Sequence, residues 1–215
     1  MHRGARLIPA MRILALAWCL WCTLHSLLIT ETLTRRIRDR GGFPAGIFRL
    51  AYVLFSLLGL LPVLWYQSTL PRTILFDWTG PWRIVQLALL LYALVMFAGG
   101  ARIYDIRHFL GLRQWQDYRA GRPPSAAAFR ASGILRLVRH PWYSGGLALL
   151  WAMGPVSDVS LVSHAILSLY LLIGTLLEER KLKRELGRPY EEYCRQVPML
   201  VPWKGWWKGK EERAR

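Results

Sequence analysis

Two groups of polar residues in this 215-residue chain have the types and spacing that could hold a charged ligand. The first is the run Arg139-His140-Pro141-Trp142-Tyr143, in which the proline can occupy the first position of a helix. The free amide donors of such a helix start, with Arg139 and His140 just before it, suit a carboxylate or a phosphate. The alternative is that the run only marks the boundary of an apolar segment.

The second group is the pair Glu178-Glu179, which ends the next apolar stretch of the chain. A turn at Gly154-Pro155 would return this pair to the level of His140. A carboxylate at an apolar boundary is costly unless it pairs with a cation or with a ligand. Pairing with Arg139 or Arg180 is one interpretation. The other is a ligand with an anionic end and with amine or hydroxyl donors, a description that S-adenosylmethionine fits.

A histidine and two cysteines in the first apolar segment are weaker candidates. Cys19 and Cys22 have the spacing of a redox or metal pair, but no second pair accompanies them, which favours two small apolar residues in a helix. His25 must face the interior of a helix bundle if the segment spans a bilayer, and such residues are often functional. The common nucleotide, hydrolase and zinc-protease motifs are absent from the sequence, and no metal site is expected.

The elements that position these residues are apolar segments of membrane length. The sequence is 53% hydrophobic, yet its formal net charge is +16, a combination that a soluble core of this size does not accommodate. Residues 13–30, 50–71 and 84–101 contain no charge, whereas a nucleic-acid binder would mix its basic residues with the apolar ones. The 141–177 stretch predicts two short helices, 142–153 and 159–178, joined as a hairpin. The expected fold is an all-α polytopic membrane bundle with about five transmembrane helices.

The same pattern divides the chain at residues 101 and 102. Residues 1–101 would supply three transmembrane helices, and residues 102–215 a cytoplasmic loop with a short helix at 125–138, the hairpin and a basic C-terminal part. A cytoplasmic amphipathic helix is expected after residue 178, ending at Gly187, with a further turn starting at Pro189. The Trp- and Lys-rich tail after residue 202 is typical of contact with anionic membrane lipid.

The distribution of basic residues predicts the orientation of the spans. In the five-span arrangement, 24 of the 29 Lys and Arg residues lie on the side of the two large loops and the C-terminus. Because basic loops remain in the cytoplasm, the C-terminus is expected to be cytoplasmic, in an integral membrane protein of the bacterial inner membrane.

The combined motifs resemble the isoprenylcysteine carboxyl methyltransferase superfamily of membrane methyltransferases, which includes phospholipid and methanethiol methyltransferases. The resemblance covers residues 102–203 and rests on Arg139-His140-Pro141-x-Tyr143-x-Gly145, on Glu178-Glu179 and on the spacing from Gly187 to Pro202. The His25-Ser26-Leu27-Leu28 run and the Gly111-Leu112-Arg113-Gln114 run are most similar to the methanethiol S-methyltransferase members.

The resemblance implies an S-adenosylmethionine-dependent methyltransferase whose cofactor contacts Arg139, His140, Pro141, Trp142, Tyr143, Glu178 and Glu179. His25 and Gln114 would contact the acceptor, and Arg113 or Arg139 could favour an acceptor thiolate; the catalytic residues are otherwise unassigned. The isoprenylcysteine enzymes carry an arginine four residues before the cofactor-binding glutamate. Gly174 stands there in this chain, which favours a small thiol or another small lipophilic acceptor.

Other functions remain open at the level of sequence. A phospholipid N-methyltransferase or an isoprenylcysteine-type carboxyl methyltransferase would use the same cofactor residues with a lipid acceptor. A non-enzymatic assembly factor or transporter would use those residues only to hold helices together. Expected partners are a small-molecule or lipid methyl acceptor and membrane lipid, and no nucleic acid.

Overall fold

The computed structural model describes residues 2–40, 42–122 and 131–205, which are mostly helical. The α-helices are α1 (His2–Leu28), α2 (Glu31–Arg40), α3 (Gly42–Thr69), α4 (Trp82–Ala101), α5 (Ile106–Leu110), α6 (Leu112–Arg119), α7 (Pro141–Ala152), α8 (Asp158–Leu186) and α9 (Arg188–Gln196). A short 3-10 helix covers Gly133–Arg136, and strand β1 (Ile74–Phe76) pairs with β2 (Val156–Ser157).

Of the described helices, four are long and apolar enough to cross a membrane: Ile8–Leu28, Ile47–Thr69, Trp82–Ala101 and Asp158–Leu186. Large apolar side chains on them face outward, with Leu16 69% exposed and Ile84 72% exposed. Continuous apolar surface of this kind is stable only when lipid or another protein covers it. The chain is therefore an integral membrane protein. The predicted fifth span corresponds to α7, whose 12 residues extend about 18 Å, less than the thickness of a hydrocarbon core.

The chain forms two compact units, and the first contains residues 1–73, 105–128 and 157–166. Within it, the Gln67 side chain of α3 accepts hydrogen bonds from Trp18 Nε1 at 3.1 Å and from Ser163 Oγ at 2.6 Å. Gly111 joins α5 to α6 with a positive φ of 86°. A Cβ at this position would lie 2.6 Å from the backbone nitrogen of Leu50, so only glycine lets α6 pack this closely on α3.

The second unit contains residues 74–104, 129–156 and 167–215. Its main contact joins α4 and α7, which approach closely because glycine faces the partner helix at two positions. A Cβ on Gly145 would lie 2.9 Å from Met96 Cβ, and one on Gly100 would lie 2.3 Å from Trp142 Nε1. The Trp142 indole donates to the Phe97 carbonyl at 3.2 Å. This packing fixes the start of α7, where the first predicted group of polar residues lies.

The hairpin of α7 and α8 is confirmed, with helix boundaries within one residue of the predicted start and end of the first helix. Trp151 Nε1 donates to Ser168 Oγ at 3.0 Å, and Leu171 lies opposite Gly146, so the two helices run antiparallel. Helix α8 differs from the prediction because it continues without a break from Asp158 to Leu186. No glycine or proline interrupts residues 175–186, so the basic amphipathic stretch extends the span instead of forming a separate helix.

The C-terminal part of the second unit folds back onto the start of α7. Helix α9 begins after Gly187, where a turn was predicted, and buries Tyr190 and Tyr193. The backbone amides of Arg139 and His140 then donate to the carbonyls of residues 198 and 199, at 3.0 and 3.2 Å. Of the predicted helix at 125–138, residues 131–138 show only the short 3-10 helix, and residues 125–130 lie outside the described residues, as does the tail from residue 206.

Candidate functional site

Glu179 is the centre of a buried polar network in the second unit. Its side chain is 7% exposed. Oε1 accepts hydrogen bonds from Arg139 Nε at 2.7 Å, His140 Nε2 at 2.8 Å and the Tyr190 hydroxyl at 3.0 Å. Oε2 accepts from Arg139 Nη2 at 2.9 Å, and the Cys194 thiol lies 3.5 Å away. Because a carboxylate offers about four acceptor positions, Glu179 has no capacity left for a ligand.

Arg139 connects this network to the C-terminal segment. Besides its bidentate contact with Glu179, its Nη1 donates to the Cys194 carbonyl at 2.9 Å and to the Val197 carbonyl. Burial alone would lower the pKa of the Arg139 guanidinium, but the hydrogen bonds and charge of Glu179 outweigh it and raise the pKa. Arg139 is thus a fixed cation whose donors are directed at protein groups, and it holds α8 and the C-terminal segment against the start of α7.

His140 has one nitrogen in this network and one outside it. Nε2 donates to the Glu179 carboxylate and must carry a proton. Nδ1 lies on the other side of the ring, 3.9 Å from Glu178 Oε2. The imidazole is 4% exposed and makes an edge contact with the Tyr143 ring at a centroid distance of 5.8 Å. Its orientation is therefore fixed, and Nδ1 can accept a hydrogen bond when the ring is neutral or donate one when it is charged.

Glu178 differs sharply from its neighbour in sequence. Adjacent positions of a helix point about 100° apart, so only one of the two glutamates can face the buried network. The Glu178 side chain is 42% exposed, and His140 is its ion-pair partner among the described residues. Of the two interpretations of the glutamate pair, pairing within the protein therefore describes Glu179, and availability to a ligand describes Glu178. Glu179 forms the internal ion pair, and Glu178 keeps acceptor positions that a ligand can use.

Two tyrosine rings, Tyr104 and Tyr143, lie against residues that are close to Glu178. The Tyr104 ring packs edge-on against Trp142 at a centroid distance of 5.0 Å. Burial, and secondarily the negative charge of Glu178, raises the pKa of Tyr104 to about 12. An ideal Cβ on Gly174, one turn before Glu178, would be 3.8 Å from the Tyr143 ring. Sequence reasoning missed Tyr104, because its relation to Glu178 arises only when the helices pack together.

Pro141 and Trp142, which belong to the same Arg139–Tyr143 run, take part in helix formation and helix packing. Pro141 is buried at the first turn of α7, as predicted for a helix start. Trp142 faces α4, and its indole nitrogen is bonded to a backbone carbonyl. The run thus divides into residues that build the network, residues that fix the helix and Tyr143, which faces the side of Gly174 and Glu178.

The predicted acceptor residue His25 lies in the first unit, within a hydrogen-bonded cluster of α1 and α3. Ser56 Oγ donates to the Tyr52 carbonyl at 2.8 Å, so it accepts from His25 Nδ1 at 3.0 Å. His25 Nε2 then accepts from the Tyr52 hydroxyl at 2.8 Å when the imidazole is neutral. The Trp21 ring stacks on the imidazole at 5.0 Å. The prediction that His25 faces other helices is confirmed, and its role in acceptor binding stays a prediction.

Gln114 and Arg113, the other two predicted site residues in the first unit, contact α5 and its N-cap residue Asp105. Gln114 Nε2 donates to the His108 carbonyl at 3.0 Å and so satisfies an acceptor at the end of that helix. Gln114 Oε1 is buried without a hydrogen-bond donor among the described residues. Arg113 is exposed and paired with Asp105, whose pKa is lowered by the His108 amide and by Arg113. These contacts hold α5 and α6 together. Acceptor binding by Gln114 and stabilisation of an acceptor thiolate by Arg113 stay predictions.

The cysteines and the possible metal ligands can be located in the part of the chain that the structure describes. Cys19, Cys22 and Cys194 are free thiols. Within residues 2–40, 42–122 and 131–205, no three His, Cys, Asp or Glu side chains are grouped closely enough to hold a metal ion. Burial raises the pKa of Cys194 to about 11, and Glu179 adds to that effect while Arg139 opposes it.

The fold and the site define a class: an integral membrane protein with a polar site at one end of a helical hairpin. A family model described as "NnrU protein" matches residues 13–201, and the chain belongs to that family. Methanethiol S-methyltransferase 1 of Bradyrhizobium diazoefficiens is 33% identical over 164 residues, which are 74% of this chain and 55% of the relative. Methanethiol S-methyltransferase of Pseudomonas sp. (strain GM41(2012)) is 34% identical over 174 residues, 78% of this chain and 64% of the relative.

A more distant relative belongs to the carboxyl methyltransferases. Protein-S-isoprenylcysteine O-methyltransferase B of Arabidopsis thaliana is 33% identical over 75 residues, which are 33% of this chain and 37% of the relative. No solved structure matches the chain. These names confirm the resemblance to the superfamily of membrane methyltransferases. The chain spans 55% and 64% of the two methanethiol S-methyltransferases described above.

Proposed function

We propose that this chain is an integral membrane methyltransferase that uses S-adenosylmethionine and methylates a small thiol or another small lipophilic acceptor. The observation that carries the proposal is the difference between the surroundings of Glu178 and those of Glu179. Glu179 is saturated by Arg139, His140 and Tyr190, whereas Glu178 is half-exposed beside the fixed His140 ring. A purely structural pair would not need the second carboxylate, since the first already neutralises the buried arginine.

The residues around Glu178 fit the polar groups of this cofactor. Its amine and ribose hydroxyls are donors that the Glu178 carboxylate can accept, and its carboxylate can receive a hydrogen bond from His140 Nδ1 when that imidazole is protonated. Tyr143 and Tyr104 offer aromatic surface to an adenosine group or to a cation. When bound, S-adenosylmethionine supplies an electrophilic methyl group on a sulfonium sulfur.

The contribution of the chain itself is positioning. Glu179 fixes the imidazole of His140, and Arg139 fixes Glu179, so the site is ordered before any ligand arrives. Groups held in advance do not lose conformational freedom during the reaction, which is a major source of rate enhancement. We assign Arg139 a positioning role because all three of its guanidinium nitrogens already donate to protein acceptors.

The acceptor class follows from Gly174 and from the relatives. Gly174 presents no side chain to the space beside Tyr143, so α8 offers no cation to an acceptor carboxylate at that position. Two relatives are named methanethiol S-methyltransferase, and a small thiol has no carboxylate to bind. A thiol reacts as the thiolate. The predicted acceptor residues His25 and Gln114 remain candidates for contacting it.

The test is binding followed by turnover with the detergent-purified full chain. Calorimetric titration with S-adenosylmethionine is expected to show saturable binding, and labelled methyl groups should then transfer to a small alkyl thiol. Phosphatidylethanolamine and a prenylated cysteine serve as rival acceptors in the same assay. Transfer to the lipid amine would identify a phospholipid N-methyltransferase, and the absence of cofactor binding would favour a non-enzymatic membrane protein.

A further inference from the structure

The Glu178 carboxylate has an imidazole, and no Arg or Lys side chain, as its ion-pair partner in the described part of a strongly basic protein. The chain has a formal net charge of +16. Nevertheless, no Arg or Lys forms an ion pair with Glu178 in the described ranges, where its partner is the His140 imidazole at 3.9 Å. Arg139 lies close by but directs its donors to Glu179 and to two backbone carbonyls. The site therefore retains negative charge where a cation from the chain could easily have been placed.

Two aromatic rings lie near this carboxylate: Tyr143 contacts the His140 ring, whose Nδ1 is 3.9 Å from Glu178 Oε2, and Tyr104 packs on the neighbouring Trp142. Gly174 and Glu178 are four residues apart on α8 and share one face, and Tyr143 lies against that face at Gly174. Tyr104 follows the end of α4, and the negative charge of Glu178 adds to the effect of burial in raising the pKa of its phenol. Tyr104 is held there by its edge contact with Trp142. The rings are thus fixed by packing and do not depend on a ligand for their placement.

One carboxylate beside aromatic rings is an arrangement that attracts cations. The face of an aromatic ring carries negative charge density, and a cation near it gains about 0.5 to 2 kcal/mol. A sulfonium suits such a site better than an ammonium because it has no N–H donors and is weakly hydrated, so little hydration is lost on entry.

We infer that Glu178, Tyr104 and Tyr143 recognise the positive charge of the sulfonium group of the methyl donor. The inference rests on the proposed function, and it adds a basis for distinguishing donor from product. In transfer, the bond from sulfur to the methyl carbon breaks, its electron pair stays on sulfur, and the acceptor sulfur forms the new bond. The donor sulfur becomes a neutral thioether. Its attraction to the carboxylate and rings is lost with the charge, so the product is held less tightly than the substrate.

The test compares two ligands that differ in this charge. S-adenosylmethionine and S-adenosylhomocysteine are each titrated calorimetrically into the detergent-purified full chain. The wild type is expected to bind the sulfonium ligand more tightly. Tyr104→Leu should reduce the ratio of the two affinities by about two- to thirty-fold, the range of one cation–π contact. Tyr104→Phe should preserve the ratio because it keeps the ring.

Two further variants complete the design. Glu178→Gln removes the charge at a half-exposed position, so it should leave folding unchanged and should also reduce the ratio of the two affinities. Tyr118→Leu changes an exposed tyrosine of the first unit that stacks on Trp115, and it should leave both affinities unchanged.

The inference and the proposed function fail in different ways. If Tyr104→Leu and Glu178→Gln weaken both ligands by the same factor, the site binds groups common to both, and sulfonium recognition is refuted while the methyltransferase proposal stands. Equal affinity of the wild type for the two ligands would have the same meaning. If the wild type binds neither ligand, the proposed function itself is wrong.

Discussion

Replacing each of the two adjacent glutamates by glutamine separates ligand binding from folding. Glu179→Gln removes the charge that balances buried Arg139 and leaves the guanidinium without a full partner. Breaking a buried ion pair from one side costs about 3–5 kcal/mol. For a chain of this length that corresponds to a fall of roughly 6–20 °C in the unfolding midpoint. Glu178→Gln changes a side chain that is 42% exposed, and its effect on stability should stay within about 0.5 kcal/mol.

For cofactor affinity, Glu178→Gln is expected to have the larger effect of the two substitutions. Glu178→Gln removes the acceptor charge that the proposed site offers to the ligand, and losing one charge-assisted hydrogen bond weakens binding by roughly ten- to a hundred-fold. The two measurements are thermal unfolding of the ligand-free protein and calorimetric titration with S-adenosylmethionine. Unchanged affinity in folded Glu178→Gln would show that the carboxylate does not contact the cofactor. A large loss of stability in that variant would show that Glu178 is a structural residue as well.

Three further predictions concern packing, acceptor and topology. Gly100→Ala should lower the unfolding free energy by about 1–3 kcal/mol because its new methyl group would overlap Trp142, whereas Gly154→Ala, with open space around it, should change little in the same thermal assay. The purified chain should methylate a small alkyl thiol with a higher kcat/KM than a prenylated cysteine, and Gly174→Arg should narrow that difference; the reverse preference in the wild type would contradict the acceptor class. A reporter fused after Arg215 should be active only in its cytoplasmic form, and periplasmic activity would overturn the five-span arrangement.

Local sequence signals were sufficient for the hairpin and for the helix starts. Pro141 begins α7, and α9 begins directly after Gly187, because proline fixes its own φ and glycine accepts the positive φ of 61° found there. The apolar segments were also recognisable, since a span needs only length and the absence of charge. The continuation of α8 through residue 186 was missed because the change from apolar to basic composition resembles a boundary, although nothing in the backbone requires one.

Side-chain partnerships across the second unit could be predicted only in part. The spacing indicated that one glutamate would face a ligand, but the choice depends on which side of α8 meets Arg139, Tyr190 and the C-terminal segment. That packing includes a hydrogen bond between residues 58 positions apart in the sequence. Tyr104 was missed for the same reason, because its relation to Glu178 arises from the packing of α4 on α7 and not from any local pattern.

The return of the C-terminal segment to the start of α7 has a consequence for the order of events during synthesis. The acceptor oxygens of residues 197–199 bind the side chain of Arg139 and the amides of Arg139 and His140. Until these late residues leave the ribosome, the hairpin can insert into the bilayer, but its polar end lacks the acceptor oxygens of residues 197–199. A nascent chain that stops near Gly187 would therefore contain every apolar span and still be without a formed site. In such a product Arg139 could still pair with Glu179, but its Nη1 and the backbone amides of Arg139 and His140 would lack their acceptors.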